Sequence, residues 1–219
     1  MSKQALTIEI VSDVVCPWCF IGLRRLDAAL AAVRAEYPDF QCIKRWRPFF
    51  LNRDTPPEGE PYLPFLIQKF GSREQVDAIF RHVREAGAAY GLEYHFEKIE
   101  VRANTLQAHR LIHWAQQRGD AQALVERLFV SQFQLGENVG DSGVLLRVAE
   151  ECGYPVAELR DYLASDRDVS LVRSMEKESR GWGVAAVPTF IVDRKAGVQG
   201  AEDPMVLAEA IKEVWNSGA

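Results

Sequence analysis

Two cysteines stand at the junction of a predicted strand and a predicted helix near the start of the chain. Residues 6–11 (Leu-Thr-Ile-Glu-Ile-Val) are short, apolar and β-branched, which is typical of a strand. From Pro17 onward, apolar residues recur every three or four positions and predict an amphipathic helix. Pro17 suits the first helical position because its missing N–H would have no partner there. Cys16 is therefore the predicted N-cap, and Cys19 lies in the first turn.

This placement favours redox chemistry at the cysteine pair. The first N–H groups of the helix should point at the sulfur of Cys16, and the helix dipole adds a positive potential. Both effects favour the thiolate form of Cys16, which becomes the expected nucleophile or leaving group. Cys19 should be more buried and should resolve the mixed disulfide. Two other interpretations stay open: half of a zinc site, although Cys42 and Cys152 are solitary, or two inert core cysteines.

Composition indicates a globular protein without an unusual charged surface. Of the 219 residues, 47% are hydrophobic, which is enough for one large domain or two small ones. The net charge of −5 is spread over interspersed acidic and basic residues, so we expect no nucleic-acid partner and no membrane partner. Residues 1–5 lead into the first strand without the features of a signal peptide, and no apolar run reaches membrane-spanning length. We therefore expect a cytoplasmic location, where a Cys-x-x-Cys pair favours redox chemistry.

The rest of the chain has α/β character at its end and helical character in its middle. A second strand is predicted within Phe40–Phe50, and a later one at Thr189–Asp193 is followed by a turn, a short antiparallel partner and a helix from Pro204. The secondary structure of residues 94–101 is ambiguous, with an extended segment as one interpretation. The periodic apolar positions between these strands predict helices near Pro64–Phe70, Ser72–Tyr90, Thr105–Arg118, Ala121–Leu135, Ser142–Cys152, Val156–Ala164 and Asp168–Trp182. Ser72 with Gln75 and Asn104 with Gln107 are predicted capping boxes, and Asp120 and Asp141 are predicted N-caps.

The domain boundary is expected in residues 52–64, which contain four prolines and several charges. Two α/β fragments that flank a helical segment are most simply one domain interrupted by another. The sequence thus predicts an α/β domain of residues 1–55 and 166–219, with a helical domain of residues 56–165 inserted into it.

Four stretches of the chain resemble the thioredoxin superfamily and, within it, the DsbA family. They are Asp-Val-Val-Cys-Pro-Trp-Cys-Phe-Ile-Gly at 13–22, Asn-Thr-Leu-Gln-Ala-His-Arg-Leu at 104–111, Gly183 to Phe190, and Gly200-Ala201. Together they are most similar to FrnE-like protein dithiol–disulfide oxidoreductases, which are related to 2-hydroxychromene-2-carboxylate isomerases. The resemblance implies an α/β, thioredoxin-like fold interrupted by an all-helical insertion domain, and a thiol–disulfide oxidoreductase.

The resemblance also implies roles for individual residues. Cys16, Cys19 and Pro188 are the expected catalytic residues. The Val187–Pro188 bond is expected to be cis, with the Val187 backbone open to an extended substrate, although an ordinary trans proline at a strand start is the alternative. Pro17 and Trp18 should contact substrate. Trp18 stands where DsbA has a histidine, so we expect a less oxidising couple, and it also fits the role of a simple apolar lip.

The sequence departs from the family pattern at one position. Relatives often carry a buried acid six residues before the first cysteine, where this chain has Ile10. Asp13 is the nearer candidate for proton handling, or else a solvated loop or capping residue. Asn104, at a helix start, is a candidate for binding a small polar ligand, or else an N-cap. His109 and His113 have metal-ligand spacing, but without a third ligand we interpret them as helix-face residues.

We expect no bound cofactor and no metal. The expected partners are protein disulfides or thiols, or glutathione as a co-substrate, and the sequence carries no prediction of oligomeric state. The enzymatic alternative is a glutathione-dependent isomerase or transferase of the 2-hydroxychromene-2-carboxylate isomerase type. Those relatives typically have serine where Cys16 stands. The non-enzymatic alternative is a chaperone that holds apolar chains.

Overall fold

A computed structural model of the protein describes residues 4–217. Residues 1–3 and 218–219, which the predicted α/β domain includes, lie outside the described residues. The strands are β1 (Leu6–Ser12), β2 (Cys42–Pro48), β3 (Glu60–Pro61), β4 (Val101–Arg102), β5 (Thr189–Val192) and β6 (Ala196–Gln199). The helices are α1 (Pro17–Glu36), α2 (Tyr62–Phe70), α3 (Arg73–Ala88), α4 (Leu106–Gln116), α5 (Gln122–Val130), α6 (Ser142–Glu151), α7 (Val156–Ala164), α8 (Val169–Gly181) and α9 (Pro204–Ser217).

Four strands form a mixed sheet in the order β2-β1-β5-β6. β1 and β2 are parallel and are joined through α1, as the sequence predicts, whereas β5 is antiparallel to both β1 and β6. In the β1–β5 ladder, Val11 pairs with Thr189. This register places the end of β1, and hence the loop to Cys16, beside the start of β5 and the residues that precede it.

Helix α1 begins where the sequence predicts. Cys16 is its N-cap and Pro17 its first residue. Its buried face carries apolar side chains at helical spacing and packs against α9, which buries its own apolar stripe. None of the helices within residues 4–217 is both long and apolar enough to cross a membrane.

The segment between β2 and β5 is mainly helical, but it contains one two-stranded ladder. Strand β3 pairs antiparallel with β4, which resolves part of the ambiguous 94–101 segment, and a 3-10 turn at Phe96–Lys98 accounts for more of it. The buried apolar side chains of the segment are continuous with those of the sheet and α1. The domain boundaries stay a prediction.

Several predicted helix caps form. Ser72 accepts a hydrogen bond from the Gln75 N–H at 3.3 Å, and Asp141 accepts one from Val144 at 3.0 Å. The predicted capping box of Asn104 and Gln107 is wrong: Thr105 is the N-cap of α4.

The predicted helix 121–135 is divided into two parts. Helix α5 ends at Val130, and residues Ser131–Leu135 form a π-helical turn. The predicted N-cap Asp120 is wrong, since Ala121 is the N-cap of α5. Asp120 lies one position before it, and its carboxylate accepts a hydrogen bond from the Gln122 N–H.

Gly22 lies where α1 approaches the start of β5. A Cβ atom at Gly22 would come within 2.7 Å of Pro188 Cγ and 3.2 Å of Phe190 Cζ. Phe190 is only 1% exposed, so its ring has little room to move. The absence of a side chain at Gly22 is therefore what allows α1 to pack this close to Pro188.

We predict that Gly22→Ala lowers the free energy of unfolding by about 1–3 kcal/mol, because overpacking outweighs the gain in helix propensity. Urea denaturation measures this change. Gly181→Ala, at the end of α8, is the matched control, because no described atom lies within 4 Å of the added Cβ. Its stability should be unchanged or slightly higher. An equal loss in both variants would show that the contact with Pro188 is not responsible.

Candidate active site

Cys16 and Cys19 lie at the start of α1 as free, buried thiols, 4% and 2% exposed. The Cys16 N–H donates to the Asp13 carbonyl at 3.0 Å, and the Cys19 N–H donates to the Cys16 carbonyl at 3.0 Å. One expectation is wrong: the Cys16 sulfur makes no capping hydrogen bond to the helix. Its thiol is turned toward the Val187 carbonyl instead, with Sγ 3.7 Å from the oxygen. The preference of Cys16 for the thiolate form stays a prediction.

Val187 and Pro188 form the wall of the site opposite the cysteines. The peptide bond between them is cis. The Pro188 carbonyl accepts from the Gly200 N–H at 2.7 Å, and the proline side chain approaches Gly22 on α1. These contacts fix the loop that carries the Val187 carbonyl, so that carbonyl is held at the Cys16 sulfur.

The environment of Cys19 raises its pKa. Burial is the main cause, since it penalises the thiolate. The neighbouring Cys16, through its hydrogen bond and its negative charge when ionised, raises the pKa further. Two groups act in the opposite direction, the Ser12 hydroxyl and the Asp13 backbone, which hydrogen-bond to the Cys19 sulfur and favour its thiolate. Cys19 is therefore a protonated thiol that already has partners for its ionised form.

Asp13 is 1% exposed and ties three segments together. One carboxylate oxygen accepts from the Leu51 N–H at 2.8 Å, in the loop after β2. The other lies 3.3 Å from His109 Nε2, and that nitrogen is also 3.2 Å from the Phe49 carbonyl. The alternative that Asp13 is a solvated loop residue is wrong, because its side chain is buried. A role for its carboxylate in proton handling stays a prediction.

A pocket of about 470 Å³ opens beside Cys16. Pro17, Trp18 and Val187 line it together with Cys16, so the structure brings these predicted residues together. The Trp18 ring is half-buried and lies 5.3 Å from the His82 ring, centroid to centroid. Most of the remaining walls come from the helical segment and are largely apolar, including Phe65, Leu66, Phe80 and Phe96. A substrate can reach the Cys16 sulfur through this pocket.

Three residues near the sulfurs are not among the predicted site residues. Besides Ser12, they are Tyr62 and Tyr94. The Tyr94 hydroxyl donates to the Pro17 carbonyl at 2.9 Å, and Tyr62 lines the pocket. Burial is the main cause that raises the pKa of both phenols, so both remain hydrogen-bond donors. Ser12 is signalled by its place before Asp13 on β1, whereas the tyrosines arrive from the distant helical segment.

Other candidates lie away from the pocket or are engaged elsewhere. Asn104 does not line it; its amide nitrogen donates to the Thr55 carbonyl and its oxygen accepts from the Leu106 N–H. Cys42 and Cys152 are half-buried, and burial raises the pKa of both thiols. Within residues 4–217, no three His, Cys, Asp or Glu side chains are grouped so that they could hold a metal ion.

Comparison with known proteins gives a family and three informative structural neighbours. Residues 7–212 match the DSBA-like thioredoxin domain. A probable DsbA oxidoreductase from Streptomyces coelicolor is 32% identical and has a TM-score of 0.88, with 96% of this chain and 90% of that chain covered. The cytosolic disulfide reductase DsbM from Pseudomonas aeruginosa, solved with GSH, is 17% identical, with a TM-score of 0.63 and 96% of each chain covered. A 2-hydroxychromene-2-carboxylate isomerase is 15% identical, with a TM-score of 0.64, over 96% of this chain and 97% of that one.

The last two neighbours are similar in fold alone, whereas the family match extends from β1 into α9. The mixed sheet, the helices between β2 and β5 and the thiol pair at the start of α1 agree with that match. They confirm the predicted thioredoxin-like fold. The chain belongs to the family of DSBA-like thioredoxin domain proteins.

Proposed function

We propose that the protein is a thiol–disulfide oxidoreductase in which Cys16 and Cys19 alternate between dithiol and disulfide. The observation that carries the proposal is the pair of thiols at the start of α1, one of which lines a substrate-sized pocket. Membership of the DsbA-like family supports the reaction class. The finer proposal is an FrnE-type enzyme with a Cys-Pro-Trp-Cys motif that acts on protein disulfides or small thiols in the cytoplasm.

The reaction has two exchange steps. The Cys16 thiolate attacks one sulfur of a substrate disulfide, and the other sulfur leaves as a thiolate that takes up a proton. The Cys19 thiolate then attacks the Cys16 sulfur, which forms the Cys16–Cys19 disulfide and releases the second substrate thiol. Two electrons pass from the protein dithiol to the substrate, and the reverse sequence oxidises a substrate dithiol. Val187 and Pro188 bound the substrate on the side opposite the cysteines.

The surroundings of Cys19 explain why the second step follows the first. While Cys16 carries a negative charge, that charge and its hydrogen bond raise the pKa of Cys19. Once the Cys16 sulfur is bonded to substrate, both effects disappear. The Ser12 hydroxyl and the Asp13 backbone N–H remain and favour the Cys19 thiolate. Cys19 therefore ionises more easily at the mixed-disulfide stage, when it has to attack.

The second thiol favours exchange over the alternatives. The similar folds of DsbM, solved with GSH, and of the isomerase support a glutathione-linked reaction as well as dithiol exchange. An isomerase that uses glutathione as its thiol has no evident use for Cys19. A chaperone that only holds apolar chains has no use for either buried sulfur. An activity that is lost in a Cys16 variant therefore indicates thiol–disulfide exchange, and one that survives indicates a chaperone.

We predict a reversible two-electron couple between Cys16 and Cys19. In a glutathione redox buffer, alkylation and mass spectrometry should show both thiols lost together. Cys16→Ser should abolish exchange, and Cys19→Ser should accumulate a mixed disulfide at Cys16, because nothing resolves it. The double variant Cys42→Ser/Cys152→Ser is the control and should keep the couple. A stable glutathione adduct in the unmodified protein, without a couple, would favour the isomerase or transferase.

We predict that Ser12→Ala slows the resolving step. Removing the hydroxyl takes a hydrogen bond from the Cys19 thiolate, so the pKa of Cys19 rises and less thiolate is present at neutral pH. A hydrogen bond to a charged group contributes about 1.5–3 kcal/mol, so the thiolate population should fall about tenfold or more. The measurement is the pH dependence of release of the second substrate thiol, whose midpoint should move to higher pH.

The matched control is Ser179→Ala, because Ser179 is also buried but bonds to Arg47 and to the Met175 carbonyl. Its pH profile should not move. The same profile in Ser12→Ala and in the unmodified protein would remove Ser12 from the mechanism and leave the cysteine roles intact.

A further inference from the structure

Tyr62 carries an unpartnered hydroxyl group in the pocket beside Cys16. The residue is half-buried and lines this pocket together with Cys16. Its hydroxyl forms no hydrogen bond within residues 4–217, and it is not among the side-chain oxygens that are buried away from solvent. The Tyr94 hydroxyl differs, because it already donates to the Pro17 carbonyl at 2.9 Å. Tyr62 can therefore donate to a molecule that enters the pocket.

The ring of Tyr62 is held in place by a strand ladder and by an aromatic stack. Tyr62 is the first residue of α2, directly after β3, and its N–H donates to the Glu100 carbonyl, just before β4, at 2.9 Å. Its ring lies nearly parallel to that of Phe80, with 6.4 Å between the centroids. Phe80 is 9% exposed and stacks in turn on Phe96 at 4.1 Å. These contacts fix the place of the hydroxyl, as a preorganised donor requires.

The hydroxyl stays protonated while the sulfurs react. Burial is the main cause that raises the pKa of Tyr62, and the negative charge of an ionised Cys16 raises it further. The phenol is therefore within electrostatic reach of the Cys16 sulfur, although it does not hydrogen-bond to that sulfur. Both groups border the same cavity of about 470 Å³, so a substrate in the cavity can contact both.

The atom that needs such a donor is the leaving sulfur of a substrate disulfide. The three sulfurs of an exchange lie nearly in line, and each S–S bond is about 2.05 Å long, so the leaving sulfur lies about 4 Å or more from the Cys16 sulfur. As the substrate bond breaks, this sulfur becomes a thiolate. The largely apolar walls of the pocket solvate a thiolate poorly, so a hydrogen bond to it is stronger there than in water.

The other donors that line the pocket are less suited to this sulfur. The guanidinium of Arg102 is 2.9 Å from the Asp54 carboxylate and 3.0 Å from that of Glu60. The ammonium group of Lys69 belongs to an exposed side chain, and water and salt screen its charge. Trp18 offers an indole N–H, which is a weaker hydrogen-bond acid than a phenol.

We propose that Tyr62 is a catalytic residue of the first exchange step, and that its hydroxyl donates a hydrogen bond to the substrate sulfur that leaves. The bond between the Cys16 sulfur and the attacked sulfur forms, the S–S bond of the substrate breaks, and its electron pair stays on the leaving sulfur. The phenol keeps its proton, and solvent protonates the released thiolate. In the reverse direction, the same hydrogen bond holds the substrate thiolate that attacks the mixed disulfide. This inference rests on the proposed function and adds a residue to the same site.

The test isolates the first step in the background Cys19→Ser/Cys42→Ser/Cys152→Ser, in which Cys16 is the remaining cysteine. Formation of the mixed disulfide is timed with two uncharged disulfides, 4,4′-dithiodipyridine and hydroxyethyl disulfide. The first releases a thiolate that spreads its charge over a ring, and the second releases a basic alkyl thiolate. Tyr62→Phe should slow the hydroxyethyl reaction about tenfold and the pyridine reaction less than about twofold. A poor leaving group depends most on the hydrogen bond.

A second measurement distinguishes the leaving sulfur from the attacking one. The absorbance of the Cys16 thiolate, followed against pH, should have the same midpoint with and without Tyr62→Phe, because the hydroxyl does not bond to that sulfur. The substitution keeps the ring that stacks on Phe80, so the protein should fold.

Three further variants in the same background serve as comparisons. Tyr154→Phe is the matched control, because Tyr154 is also half-buried with an unpartnered hydroxyl, but it packs against Trp114 and does not line the pocket. Its two rates should equal those of the background. Trp18→Phe and Lys69→Met should change both rates by one common factor, since neither side chain bonds to the leaving sulfur.

The outcomes separate this inference from the proposed function. The inference is overturned if Tyr62→Phe slows neither disulfide, slows both equally, or shifts the midpoint of the Cys16 thiolate. It is also overturned if Tyr154→Phe, Trp18→Phe or Lys69→Met produces the selective loss instead. Dithiol exchange stands in each of these cases. If Cys16 forms no mixed disulfide with either compound in the background protein, the proposed function itself is wrong.

Discussion

The site depends on one pairing between distant parts of the chain, the β1–β5 ladder in which Val11 lies opposite Thr189. A one-residue slip in that register would turn the side chains of β5 to the other face of the sheet. The pairing places Val187 and Pro188 beside the start of α1, where Gly22 leaves room for the proline. The β1–β5 pairing, the start of α1 and the loop before β5 therefore fix one geometry. Its direct result is that the Val187 carbonyl lies at the Cys16 sulfur.

The surroundings of Cys19 suit it to the resolving role that we propose, although the two sulfurs share one helical turn. Cys19 lies in a low-dielectric environment that raises its pKa, and its hydrogen bonds from Ser12 and the Asp13 backbone only partly offset this effect. Because these effects on the pKa of Cys19 oppose each other, its ionisation is sensitive to whether Cys16 is ionised or bonded to another sulfur. A fully solvated pair would lack this coupling, since water screens one sulfur from the other. In the proposed reaction, the order of the two exchange steps then follows from the positions of the groups around Cys19.

The predictions that succeeded rest on local patterns, and those that failed depend on tertiary contacts. The structure has the features that a few neighbouring residues encode. They are the alternating and helical apolar spacings, Pro17 at a helix start, and the caps at Ser72 and Asp141. The Cys16 sulfur makes no hydrogen bond to the predicted helix N–H groups, and its contact is with the carbonyl of Val187, which lies just before β5. Nothing local to Asp13 shows that His109 on α4 will lie 3.3 Å away.

The pocket beside Cys16 also depends on tertiary contacts that local sequence patterns do not predict. Its walls come from α1, the loop after β2, α2, α3 and the turn after α5, so no single stretch of sequence describes it. What these segments share is apolar surface, with the Arg102 charge paired to Asp54 and Glu60. The Cys16 sulfur lies at this wall, so a substrate that reaches it has to place its own groups against surface from all of these segments.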